Sequence, residues 1–166
     1  SSDAAAAVGL NPYQSQLELW MIKTGREAAL PKLDADDESS PMYWGNILEP
    51  IVAMHYTKHS GHKVRRINAV LQHPDKDKSW MLANLDYAVV GADDVQLLEC
   101  KTAGEFGSRL WREGVPEYVQ CQVQHQLAVT GKQAADVCVL VCGQEIRIHR
   151  IERDDALIAK LIELER

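Results

Sequence analysis

The stretch WMLANLDYAVVGADDVQLLECKTAG, Trp80–Gly104, decides how this chain is read. Two apolar runs, Leu85–Val90 and Val95–Leu98, flank a polar turn containing Gly91, Asp93 and Asp94. Each run has the length of a strand, and the turn residues between them predict a hairpin. The first run carries Asp86; the second leads into Glu99-Cys100-Lys101. Side chains alternate along a strand, so Glu99 and Lys101 project to one side and Cys100 to the other. Paired through the turn, Asp86 meets Glu99 near the end of the hairpin. Two carboxylates beside an amine suit a divalent metal, a polarised phosphate and a water to be deprotonated, which is the chemistry of phosphodiester hydrolysis. A Glu-x-Lys strand also occurs as an exposed cross-strand ion pair. The flanking runs read as largely buried, and acidic groups at the ends of buried strands need partners, which adds weight to the first reading and leaves the second open.

Outward from this segment, 166 residues predict one domain with a real core, residues 1–166. No apolar run approaches the ~18–20 residues that span a bilayer, and Ala4–Val8 is too short and lacks the basic flank of a signal peptide. The chain begins without Met and ends inside a predicted helix, so it is expected to be part of a longer protein. Cys100, Cys121, Cys138 and Cys142 form no CxxC pair and read as buried, reduced thiols of a cytoplasmic protein. His55, His59 and His62 have helical spacing, but nothing completes a zinc site, and a solvated helix face is the better reading. The net charge of −6 argues against nonspecific coating of nucleic acid. It leaves local basic groups, Lys63, Arg65 and Arg66, and Lys101, Arg109 and Arg112, to meet phosphates.

Asn11-Pro12 opens a predicted helix over Tyr13–Thr24, and Glu27–Pro41 reads as a loop. A second helix, Met42–His59, carries Ile47, Ile51 and Met54 at helical spacing, and Pro50 is expected to kink or break it near Glu49. Val64–Leu71 reads as a strand, Thr102–Gly114 as a loop, and Pro116 starts a helix that runs to Thr130. Val137–Val141 and Glu145–Ile151 are strands, and a last helix begins at Asp154. This order predicts an α/β fold, a mixed sheet with helices packed around it.

Two further groups carry chemistry. In the helix from Glu117, Val119, Val123 and Leu127 read as core, whereas Tyr118, Gln122 and His125 form a polar stripe. Gln122 offers donors and an acceptor to a phosphate oxygen or a water, or is simply a solvated helix former. Glu49, just before a helix-breaking proline, is either a third carboxylate for the Asp86–Glu99 pair or an ordinary surface glutamate.

Several pieces then stand in a recognisable order: Ser1-Ser2-Asp3 leading to Gly9-Leu10-Asn11-Pro12-Tyr13; Trp44-Gly45-Asn46-Ile47-Leu48-Glu49-Pro50; Asp86; Glu99-Cys100-Lys101; and Tyr118-Val119-Gln120-Cys121-Gln122-Val123-Gln124. Together they resemble the YqaJ-type viral recombinase family, which is similar to the phage lambda-type alkaline exonucleases of the PD-(D/E)XK nuclease superfamily. The resemblance implies a restriction-endonuclease-like core and a Mg²⁺-dependent 5′→3′ exonuclease on linear double-stranded DNA, with Mn²⁺ as the alternative ion. Its product would be a 3′ single-stranded tail for a single-strand annealing partner. It implies that Asp86, Glu99 and the Cys100 main-chain carbonyl hold metal, and that Lys101 orients or deprotonates the attacking water. Glu49 would assist in the metal shell, Gln122 and Gln124 would contact phosphate, and Ser2 would hold the 5′-terminal phosphate. It further implies a homotrimer threaded by DNA, in the cytoplasm of a bacterial host, of phage or prophage origin and with no membrane association. The chain departs from the lambda-type pattern at Asn84, where a serine is usual, and at Leu85, where the signature has proline. A site-specific endonuclease and a non-catalytic DNA-binding relic share the core. Against the first stands the lack of spare length for a recognition segment, and against the second the presence of both carboxylates and the lysine. An iron–sulfur nuclease is disfavoured by the cysteine spacing.

Overall fold

The computed structural model describes residues 38–78 and 80–165; the predicted Tyr13–Thr24 helix and Ser2 lie outside them. The elements are α1 (Pro41–Ser60), β1 (Lys63–Gln72), β2 (Leu82–Val90), β3 (Leu97–Ala103), α2 (Glu117–Thr130), β4 (Ala134–Val141), β5 (Glu145–Glu152) and α3 (Asp155–Glu165). The strands form one mixed sheet in the order β1-β2-β3-β4-β5. Among the described residues only β3 and β4 pair in parallel, and α2 is the crossover between them.

Helices cover both faces. Val52, Ala53 and Tyr56 of α1 pack on Tyr87, Val89, Leu98 and Cys138. On the opposite face Val119, Val123 and Leu127 of α2 pack on Leu85, Leu97, Val137 and Val139. That sandwiching explains why β4 reads AADVCVLV without a polar alternation, the one charge, Asp136, being buried. Asp136 is compensated on three sides: Tyr56 Oη donates to its Oδ2 at 2.6 Å, and Arg150 Nε and Nη2 donate to Oδ1 and Oδ2 at 2.6 and 3.4 Å. This cluster ties α1 to β4 and β5.

Three sequence expectations change. Ile47, Ile51 and Met54 are exposed, because α1 carries apolar residues on two sides and it is the Val52, Ala53, Tyr56 side that meets the sheet. Pro50 does not break α1, which continues to Ser60; the proline only removes the donor that would meet the Asn46 carbonyl one turn earlier. The Thr102–Gly114 segment is not all loop: β3 runs to Ala103, and a 3-10 turn at Gly107–Trp111 buries Trp111 in the core. All four cysteines are free thiols, as expected, but Cys142 is exposed. It sits at the β4–β5 turn with φ 51°, beside Gly143 at φ 65°. Among the described residues no helix is long and apolar enough to cross a membrane.

Candidate active site

The site begins with an irregularity in the sheet. β1 pairs with β2 from Lys63↔Val90 to Arg66↔Tyr87 and again from Ala69↔Leu85 to Gln72↔Leu82, so Ile67 and Asn68 together face the single residue Asp86. This is a β-bulge, with Asn68 in the left-handed region at φ 46°. A bulge bends and twists its strand and re-aims a side chain. The packing shows it: Ala83 and Leu85 lie against α2, whereas Tyr87 and Val89 lie beneath α1. Those four would share one face of a regular strand. Asp86 sits where the strand turns over.

The β2–β3 ladder stops at the same level. Its paired residues are Tyr87↔Leu98 and Ala88↔Leu97; one step further, where Asp86 and Glu99 would follow, the strands part. The Cys100 N–H, deprived of a strand partner, donates to Asp86 Oδ2 at 3.2 Å. The N–H and C=O of one strand residue point to the same side, so the Cys100 carbonyl also faces this gap. Its side chain packs on the α1 side, where burial pushes the thiol far above its usual range.

Glu99 faces α2 and is only 5% exposed. Gln122 Nε2 donates to its Oε1 at 3.0 Å, and Gln126 Nε2 to its Oε2 at 2.9 Å. Lys101 Nζ donates to Gln122 Oε1 at 2.8 Å and lies 3.3 Å from Glu99 Oε1. Gln122, Gln124 and Gln126 of α2 are therefore buried hydrogen-bonding groups, not a solvated stripe. Residues at i and i+4 share one helix face, which delivers Gln122 and Gln126 to one carboxylate. Gln124 points away from it: its Nε2 donates to the Glu152 carbonyl at 2.8 Å and its Oε1 accepts from the Asp154 N–H at 2.9 Å. Gln124 thus joins α2 to the β5–α3 corner and is not brought to the cluster where the resemblance would have it meet phosphate.

Glu49 arrives from α1. It lines one cleft of about 250 Å³ with Asn46, Asp86, Glu99, Lys101 and Thr102. Its Oε1 is buried and without a hydrogen-bond partner. Burial holds its carboxyl above the usual carboxylate range, opposed by Arg66 and reinforced by Glu99. Asp86 is pushed up to about 8 by burial, then by the charges of Glu99 and Glu49. Three carboxylates sharing a cleft so that one retains its proton are a site with surplus negative charge, and a bound cation is what relieves it.

The donors suit an oxygen-loving divalent ion. Among the described residues no three His, Cys, Asp or Glu side chains close on one point tightly enough to cage a metal. The donors offered are instead Asp86, Glu99, the orphaned Glu49 oxygen and the Cys100 carbonyl. That is a Mg²⁺-like set, because Mg²⁺ keeps several waters and takes one or two carboxylates. Of the residues singled out in the sequence, Glu49, Asp86, Glu99, Cys100, Lys101 and Gln122 are brought together; Gln124 is not, and Ser2 is outside the described residues. Gln126 and the bulge at Asn68 were missed. The i, i+4 relation to Gln122 was the signal for the first. Nothing in the Val64–Leu71 run betrays the second.

The chain matches the model of the YqaJ-like viral recombinase domain over residues 1–133. It is 38% identical over 167 aligned residues to the protein YqaJ of Bacillus subtilis (strain 168), covering 99% of this chain and 50% of that protein. The chain thus spans about half the length of this relative. Its fold is similar to an alkaline exonuclease from Laribacter hongkongensis, with a TM-score of 0.74 and 25% identity, over 98% of this chain and 81% of that one. A phage related exonuclease from Haemophilus somnus 129PT has the same fold, with a TM-score of 0.69 at 14% identity, over 98% of this chain and 87% of that one. Taken with the mixed sheet, these likenesses identify the chain as a member of the YqaJ-like viral recombinase family.

Proposed function

We propose that this chain is a Mg²⁺-dependent exodeoxyribonuclease that degrades one strand of linear duplex DNA from the 5′ end. The meeting of Glu49, Asp86, Glu99 and Lys101 in one cleft, with Lys101 against Glu99, carries this reading. Similarity to an alkaline exonuclease supports it.

Asp86 and Glu99 would hold the ion from adjacent strands, with the Cys100 carbonyl from the gap between them and Glu49 closing the set from α1. A divalent ion so held neutralises phosphate charge and acidifies water. Lys101 has two interactions already, with Gln122 and Glu99. An ammonium group has three N–H donors, so one remains to orient the attacking water beside the phosphorus. Gln122 positions Lys101 and Glu99 relative to each other, and the phosphate contact implied by the family is a further part of the reading. The remaining parts of the reading are a 3′ single-stranded product passed to an annealing protein, a homotrimeric ring, and Ser2 on the 5′ phosphate.

Linear duplexes bearing 5′-phosphate or 5′-hydroxyl ends on one labelled strand, and a closed circle, test it in Mg²⁺ and in EDTA. The expected result is Mg²⁺-dependent loss of nucleotides from the 5′ end of the labelled strand, with its 3′ end retained, and an intact circle; loss from the 3′ end would reverse the proposed polarity. Nicking or linearisation of the circle would replace this reading with an endonuclease. No cleavage of any duplex in Mg²⁺ or Mn²⁺ would leave a DNA-binding relic.

A further inference from the structure

Gln126 belongs to no part of the mechanism above, yet it is 1% exposed and fully committed. Both hydrogens of its Nε2 are used: one meets Glu99 Oε2 at 2.9 Å, the other the main-chain carbonyl of Asn84 at 2.9 Å. Asn84 is two residues before Asp86 on β2, and Glu99 is on β3. One amide nitrogen on α2 therefore spans the two strands just where their ladder has ended. Where backbone bonds would otherwise set the separation of β2 and β3, a side chain does so.

Gln122 and Lys101 hold the other oxygen of the same carboxylate, Glu99 Oε1. The Cys100–Asp86 bond links the strands through the Asp86 carboxylate, itself a proposed ion-holding group. Gln126 joins the β2 main chain to the Glu99 side chain, so it fixes both the spacing of Asp86 from Glu99 and the rotation of the Glu99 carboxylate.

Resting on the proposed metal-dependent reading, we infer that Gln126 is a positioning residue whose forked amide sets the divalent-ion affinity of the cleft. Groups that orient a metal-holding carboxylate in this way contribute about 10–100-fold in metal affinity.

The test compares the unaltered chain with Gln126→Met, which keeps the volume but no donor, and Gln126→Asn, whose amide is one methylene too short to reach both acceptors. Gln124→Met serves as the structural control, since it also removes two buried hydrogen bonds from α2. Mn²⁺ affinity is measured by calorimetry and by the spin-resonance signal of free Mn²⁺, with thermal midpoints and duplex binding in Ca²⁺ recorded alongside. The expected result is a loss of about 10–100-fold in Mn²⁺ affinity in both Gln126 variants, duplex binding within about 3-fold, and unchanged Mn²⁺ affinity in Gln124→Met. Should Gln126→Met fail to fold, Gln126→Asn decides. Mn²⁺ affinity equal to the unaltered chain, or an equal loss in Gln124→Met, overturns the inference alone. An unaltered chain that binds no Mn²⁺ overturns the metal-dependent reading and the inference with it.

Discussion

Replacing Asp86 by asparagine should stabilise the metal-free protein while abolishing its chemistry. Burial and the charges of Glu99 and Glu49 move Asp86 from its ordinary value of 3.8 to about 8. The folded protein therefore holds this proton more tightly than the unfolded chain does. The associated stability is complete below about pH 4 and is lost as pH rises through about 8. At about 1.4 kcal/mol for each pH unit across that interval, the loss is bounded near 6 kcal/mol; water entering the open cleft reduces it to about 2–3 kcal/mol. The asparagine carries no charge to desolvate, and its side-chain oxygen still accepts the Cys100 N–H. Thermal unfolding in EDTA should thus show no difference between the two proteins near pH 4. Above pH 8, Asp86→Asn should melt about 4–12 °C higher, given about 2–4 °C per kcal/mol for a chain of this size. Saturating Mg²⁺ should restore much of that difference to the unaltered protein, about 2.7 kcal/mol at 100 times the dissociation constant, and leave Asp86→Asn unmoved. A lower midpoint for Asp86→Asn at pH 9, or a difference that does not vary with pH, would refute the crowding of carboxylates inferred here.

Other outcomes follow from the same geometry. Lys101→Ala should lower turnover by about 10²–10⁴-fold while duplex binding in Ca²⁺ stays within about 2-fold; parallel loss of both would remove Lys101 from the chemical step. Asp136→Ala strands Arg150 and the Tyr56 hydroxyl and should cost about 3 kcal/mol, read as a fall of about 6–12 °C in Tm; a shift under about 2 °C would show that the Tyr56–Asp136–Arg150 cluster does not anchor α1. Asn68→Gly, which accepts positive φ, should keep both stability and cleavage. Asn68→Val, strained by about 1–2 kcal/mol in that conformation, should lose cleavage; indistinguishable rates for the two would disconnect the bulge from the aim of Asp86.

The common facing of Glu99 and Lys101 could be read from the sequence because a two-residue period fixes it over short distances; the aim of Asp86 could not, since it depends on the bulge in β1 and on the parting of β2 from β3. The Val137–Val141 part of β4 was likewise legible as an apolar run, whereas Asp136 hid the strand's first residues. Helices were harder where apolar residues fall on more than one side. In α1, Ile47, Ile51 and Met54 have a spacing as regular as that of the true core face, and only the sheet beneath selects between them. In α2 every residue from Cys121 to Val129 is buried, so the polar ones there mark internal hydrogen bonds, and exposure does not separate Gln122 and Gln126 from Gln124. Pro50 was read as a break because its lost hydrogen bond was weighed alone, without the Val52, Ala53 and Tyr56 packing that holds the helix together across it. The bulge had no signal, since Asn68 supplies by its tolerance of positive φ what a glycine would have advertised.

The parted seam between β2 and β3 has a consequence for anyone wishing to move this chemistry elsewhere. A hairpin copied without its surroundings has every reason to zip onward past Tyr87 and Leu98, and zipping would satisfy Cys100 with a neighbour's backbone and bring the acidic groups into ordinary register. What keeps the slot open is supplied from outside the ribbon, by an extra residue in the preceding strand and by the Gln126 amide on a helix that arrives later in the chain. With Glu49 arriving from α1, the smallest transplantable unit is α1 through α2; a ribbon cut free of β1 or α2 should fold more regularly and do nothing.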